Sequence, residues 1–138
     1  MSSRAFIDTN VLVYVYDERD SRKQIIARDL VDNLIIQSQA VISLQVVQEF
    51  CNVVINKIKH FDQAGLRQVL NDVLGPLVQH TASVDFIDRA VERQAKHSLS
   101  FYDALIIQAA IDLNCTTLYS EDLQSGQKFG TLTITNPF

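Results

Sequence analysis

Apolar residues along this chain follow two different periods. Short runs, Ala5-Phe6-Ile7, Ala40-Val41-Ile42-Ser43, Leu77-Val78-Gln79-His80 and Cys115 to Tyr119, have the length and bulk of buried strands. Between them, apolar residues recur at three-to-four spacing, the signature of helices with one packed face. Ile25, Ile26, Leu30, Leu34 and Ile35 predict a helix from about Ser21 to Gln37, after a solvated loop at D-E-R-D-S-R-K. Val47, Phe50, Cys51, Val54, Ile55 and Ile58 predict the inner face of a second, from about Leu44 to Ile58. A third is capped by Asp62, carries the stripe Leu66, Val69, Leu70, Val73 and Leu74, and ends at Gly75-Pro76. Ser83 and Asp85 start a helix that runs through Val91 towards Lys96, and Ser100 opens a strongly apolar one with Leu105, Ile106, Ala109, Ala110 and Leu113 inside. Asn114 suits a left-handed C-cap, Gly126 ends a turn, and the alternation from Thr131 to Thr135 predicts a last strand at the sheet edge.

Strands that alternate with helices imply a parallel sheet with helices on both faces, so a single three-layer α/β/α domain over residues 1–138 is expected. A chain of 138 residues is long enough for one core without staples. No stretch approaches the ~18 apolar residues of a membrane helix, and no apolar segment precedes a cleavage site, which points to the cytoplasm. Cys51 and Cys115 lie far apart in apolar surroundings, and His60, His80 and His97 share no ligand-like spacing, so neither a disulfide nor a zinc site is expected. The net charge of −4 argues against holding nucleic acid by bulk electrostatics, but not against meeting phosphates through bound cations. Arg19, Arg22, Lys23, Lys57, Lys59 and Arg93 are scattered and mark no basic face.

The acids change the picture. Asp8 follows the first strand directly, where ligands gather in open α/β sheets. Taken alone, it would be read as a cap for the next helix, as would Thr9 or Asn10. Glu49, three residues after Val46 and four before Val53, sits at the edge of an apolar stripe. Asp103 lies in the first turn of the apolar helix, in line with Ile106 and Ala110. Glu121 and Asp122 follow the fourth strand, with Ser120 placed to cap the turn. In a sandwich this small, Asp8, Glu49, Asp103 and Asp122 can converge at one end of the sheet. Carboxylates gathered without matching Lys or Arg repel one another and call for cations. Mg²⁺ or Mn²⁺ fits an all-oxygen site, and two such ions about 4 Å apart suit phosphodiester hydrolysis.

F-I-D-T-N near the start, the glutamate after V-I-S-L-Q-V-V-Q, F-Y-D-A-L-I-I-Q-A-A and T-T-L-Y-S-E-D-L-Q together resemble the PIN-domain ribonucleases, and among them the VapC-like toxins of toxin–antitoxin pairs. The ordered set covers essentially the whole chain. The resemblance implies a metal-dependent endoribonuclease that leaves 5′-phosphate and 3′-hydroxyl ends, with Asp8, Glu49, Asp103 and Asp122 as the metal-site acids and Asn10 and Ser120 as supporting groups. Glu121 is offset from the family's last aspartate and stays outside that set. The resemblance also implies a homodimer inhibited by a small antitoxin whose tail, with an Arg among the carboxylates, covers the pocket. Two rivals remain: a catalytically silent PIN-like module that binds RNA or protein, and a phosphoaspartate phosphatase, whose D-x-D motif would need an aspartate where this chain has Asn10.

Overall fold

The computed structural model describes residues 3–138; Met1 and Ser2, where the expected 1–138 domain begins, lie outside the described residues. The chain runs through β1 (Arg4–Ile7), α1 (Thr9–Tyr16), α2 (Ser21–Ile36), β2 (Ala40–Ser43), α3 (Leu44–Lys57) and α4 (Gln63–Val69). It then reaches β3 (Val78–His80), α5 (Val84–His97), α6 (Phe101–Asp112), β4 (Cys115–Tyr119), β5 (Lys128–Phe129) and β6 (Leu132–Thr135). The strands form one sheet in the order β3-β2-β1-β4-β6-β5, parallel except for β5 against β6. The helices pack in two groups, α1 with α2 and α3, and α5 with α6, giving the expected α/β/α layering.

The sheet places the site. The chain leaves β1 for β2 on one side and returns much later to set β4 on the other, so a crevice opens at the carboxyl ends of β1 and β4. Ile7 pairs in register with Tyr119, and the amide of Asp8 donates to the Tyr119 carbonyl at 3.0 Å. The residues that leave the two strands, Asp8 and Ser120, are thereby neighbours. Behind them, Phe6, Ile7, Ile42, Phe50, Ile107 and Leu118 are fully buried and hold the strand ends rigid.

Local chemistry explains the boundaries. Asp20, Asp62, Ser83 and Ser100 each cap a helix by accepting from a backbone N–H three residues on. Asn114 takes the left-handed conformation with φ 58°. Helix α6 is buried continuously from Ala104 to Ala110, as its apolar sequence requires.

Four expectations need correction. The last strand is not the edge: β6 lies between β4 and the two-residue β5, which folds back through Gly130 at φ 62° and escapes any periodicity test. The third apolar stripe is not one continuous α-helix, since α4 passes into a π-helical segment at Leu70–Leu74 and a 3₁₀ turn at Gly75–Leu77. In α2 the buried face is Ala27, Val31 and Leu34, leaving Ile25 largely exposed and Ile35 partly so. In α3 it runs through Val46, Val47, Phe50 and Val54, and Ile55 is exposed.

Candidate active site

At the crevice between β1 and β4 lies a cleft of about 390 Å³ lined by Asp8, Glu49, Asp103 and Asp122. The structure thus brings together the four acids read from the sequence, each carried by a different element. Asp8 terminates β1 and caps α1, its Oδ1 accepting from the Thr9 amide at 2.8 Å. Its Oδ2 accepts from Ser120 Oγ at 2.8 Å. Glu49 reaches the cleft from α3, and Asp103 from the first turn of α6, where Ser100 Oγ fixes its backbone N–H at 3.1 Å. Asp122 arrives on the turn after β4.

The supporting groups sew these elements together. Ser120, fully buried, donates to Asp8 and accepts from the amides of Asp122 and Leu123 at 3.2 and 3.3 Å. One hydroxyl therefore orients the first acid and shapes the turn that carries the last. Asn10 works in the same direction, donating from Nδ2 to Asp122 Oδ2 at 2.9 Å and accepting the Glu121 amide at 3.2 Å. The sequence offers Thr9 only as an alternative helix cap, yet its Oγ1 donates to Glu49 Oε1 at 3.0 Å and ties α3 to the β1 end. Its place directly after Asp8 was the available signal. Glu121 also lines the cleft, but its carboxylate is occupied by Lys23 and by the hydroxyl of Tyr14.

Among the described residues, none of Asp8, Glu49, Asp103 and Asp122 forms an ion pair. Burial pushes the Asp8 carboxyl up to about 6; hydrogen bonds from Ser120 and Thr9 oppose the shift, and the charges of Glu49 and Asp122 add to it. Among the described residues no three His, Cys, Asp or Glu groups stand close enough to clasp one ion unaided. A hard divalent cation does not require such a cage, because Mg²⁺ takes one or two carboxylates and completes its shell with water and substrate phosphate. The donor set, all oxygen and rich in uncompensated negative charge, fits that chemistry.

A family model described as PIN domain matches residues 5–125, a span that holds all four acids and both supporting groups. The chain belongs to the PIN domain family. Divalent metal ions serve PIN domains generally, in keeping with this cleft. No curated protein matches the sequence significantly. Solved structures share the fold across nearly the whole chain. A toxin–antitoxin complex from Klebsiella pneumoniae superposes with a TM-score of 0.67 at 19% identity, covering 97% of this chain and 98% of that one. VapC20 from Mycobacterium tuberculosis, a toxin that cleaves the sarcin–ricin loop, gives 0.64 at 19% identity over 86% and 89% of the two chains. FitAcB from Neisseria gonorrhoeae gives 0.66 at 13% identity over 96% and 97%. At these identities the likeness establishes the PIN fold. No helix among the described residues is long and apolar enough to cross a membrane.

Proposed function

We propose that this PIN domain is a cytoplasmic endoribonuclease, dependent on Mg²⁺ or Mn²⁺, and the toxin of a toxin–antitoxin pair, with residues 1–138 acting as one nuclease unit. The observation that carries the reading is the convergence of Asp8, Glu49, Asp103 and Asp122 on one cleft with no cation paired to any of them among the described residues. Among these four, one or two would hold the metal directly and the others through its waters, and the ion when bound would supply the Lewis acidity for attack of water on phosphorus. The remaining work falls to the chain's own groups. Ser120 and the Thr9 amide fix both oxygens of Asp8, Thr9 Oγ1 fixes Glu49, and Asn10 fixes Asp122, so the acids are oriented before substrate arrives. The products expected are 5′-phosphate and 3′-hydroxyl ends.

The toxin assignment draws support from the structural neighbours that are toxins or toxin–antitoxin complexes. A cleft rich in carboxylates is also a natural seat for an arginine on the tail of a small antitoxin, through bidentate pairing. A homodimer is in keeping with an apolar surface around Leu44, Ile87 and Tyr102, extended by exposed Val84 and Val91. The purified chain, incubated with total RNA in Mg²⁺ and in EDTA, tests the central claim. Internal cleavage with Mg²⁺, abolished by EDTA and by Asp8→Asn, is expected; cleavage that continues unchanged in EDTA rejects it. Sedimentation equilibrium tests the dimer.

A further inference from the structure

Basic residues that look scattered in the sequence are partly gathered by the fold. Beside the acid cleft lies a second hollow of about 380 Å³, lined by Arg19, Lys57, Lys59 and His60 together with Asp17 and Glu18. Asp17, Arg19 and Lys57 line both hollows, so the two are continuous. Helix α3 forms the shared wall: Glu49, Val53 and Lys57, at four-residue steps, all face the acid cleft. At 1.5 Å per residue the acidic and basic ends stand about 12 Å apart along the helix.

The junction is prepared in advance. Asp17, whose side chain is only 8% exposed, grips Arg19 through Nε at 2.9 Å, Nη2 at 2.7 Å and its backbone N–H at 3.1 Å, while the Arg19 side chain stays 66% exposed. A guanidinium held in this way has little freedom left to lose on binding, and its Nη1 is uncommitted among the described residues. Lys57 and Lys59, both exposed, form no ion pair among the described residues. Three cations against two carboxylates make this hollow locally positive on a chain whose net charge is −4.

We propose that the second hollow is the backbone track for single-stranded RNA, in which Arg19, Lys57 and Lys59 hold phosphates adjoining the one that meets the acids. The proposal rests on the ribonuclease reading and adds the path of the substrate to it. A polyanion crossing both hollows is held by fixed cations at one end and needs metal ions only at the other, which suits a phosphodiester chain. An acidic peptide would reach the basic hollow but be repelled at the four acids.

The test uses the full chain and a fluorescein-labelled single-stranded oligoribonucleotide. In EDTA, anisotropy across a salt series should show that Lys57→Gln with Lys59→Gln raises Kd about tenfold and flattens the slope of log K against log salt by about 1.4, the share of two phosphate contacts on a single strand. In Mn²⁺ the same variant should raise KM about as much and leave kcat within about twofold. Arg67→Gln, which removes an exposed cation on α4, should change neither, and thermal melts of each variant confirm folding. An unchanged Kd and salt slope in the double variant overturns the track. So does loss of binding to a labelled hexaglutamate peptide with RNA binding intact, which would assign the hollow to a protein partner. Because binding is read in chelator, the two claims fail separately. A parent that binds RNA through these lysines yet cleaves nothing refutes the nuclease and keeps the track. A parent that cleaves with a KM indifferent to the lysines does the reverse.

Discussion

Asp8 and Asp112 are both shielded carboxylates, and the fold treats them in opposite ways. Asp112, at the end of α6, accepts from Arg89 at 2.6 Å and from Gln108 at 2.9 Å, with His80 3.5 Å away. Burial works against its charge, but these donors prevail and hold it below the usual carboxylate range. Asp8 is more deeply buried and receives only a hydroxyl and a backbone amide, and it rises to about 6. Helix α6 carries both kinds of acid, since Asp103 at its start lines the cleft and forms no ion pair among the described residues. The protein therefore has the means to neutralise a shielded acid and withholds them in one place. Uncompensated charge there is a cost to the free protein that a bound cation would remove.

The sharpest way to expose that cost is pH. The folded value near 6 lies above the ordinary carboxyl value of 3.8, so the Asp8 contribution to stability is fully present below about pH 4 and is lost as pH rises through 6. A shift of this size corresponds to about 3 kcal/mol. In EDTA, Asp8→Asn should thus match the parent at pH 4 and exceed it by up to that amount at pH 7, as read from urea melts; a gap that does not widen with pH refutes the charge deficit. Mn²⁺ should reverse the ranking. At a thousand times its dissociation constant it stabilises the parent by about 4.1 kcal/mol, and Asp8→Asn should respond far less. Equal shifts in melting temperature would remove Asp8 from the metal site. Ser120→Ala withdraws a donor from Asp8 and two acceptor contacts from the following turn, so cleavage should fall roughly tenfold, the scale of losing a supporting group. Rescue by Ser120→Thr would tie the loss to the hydroxyl. The smallest effect belongs to the other region: Arg89→Met should lower the melting temperature by a few degrees while leaving cleavage and the Mn²⁺ response unchanged. Any change in metal response would show that the two regions are coupled.

The fold was legible where one period ran long enough to be seen. Strand cores such as Phe6-Ile7 and caps such as Asp62, Ser83 and Ser100 depend on neighbours in sequence, and they were readable for that reason. The exposed isoleucines of α2 and α3 were misplaced because both helices offer more apolar positions than their packing partners can cover, so the stripe alone does not select the buried side. The two-residue β5 is defined only by β6 across a glycine turn, which leaves no periodic trace. The four acids of the cleft that form no ion pair among the described residues were readable because each breaks an apolar pattern or follows a strand. Thr9 was passed over because a threonine at a helix start already has a local explanation. The basic hollow was missed for a different reason: Arg19 lies in the loop before α2, while Lys57 and Lys59 lie at and beyond the end of α3, and only tertiary packing sets them side by side.

The contact between Ser120 and Asp8 spans 112 residues of sequence, which bears on how a cell could survive making such an enzyme. Ribosomes add about 5–20 residues per second, so roughly 5–20 s pass between the synthesis of Asp8 and that of the hydroxyl that orients it. Through that interval the nascent chain carries the acids of β1 and α3 without the turn that completes their cleft. On the proposed reading the nuclease is inert until synthesis has passed Ser120, and becomes competent only once that hydroxyl has packed against Asp8.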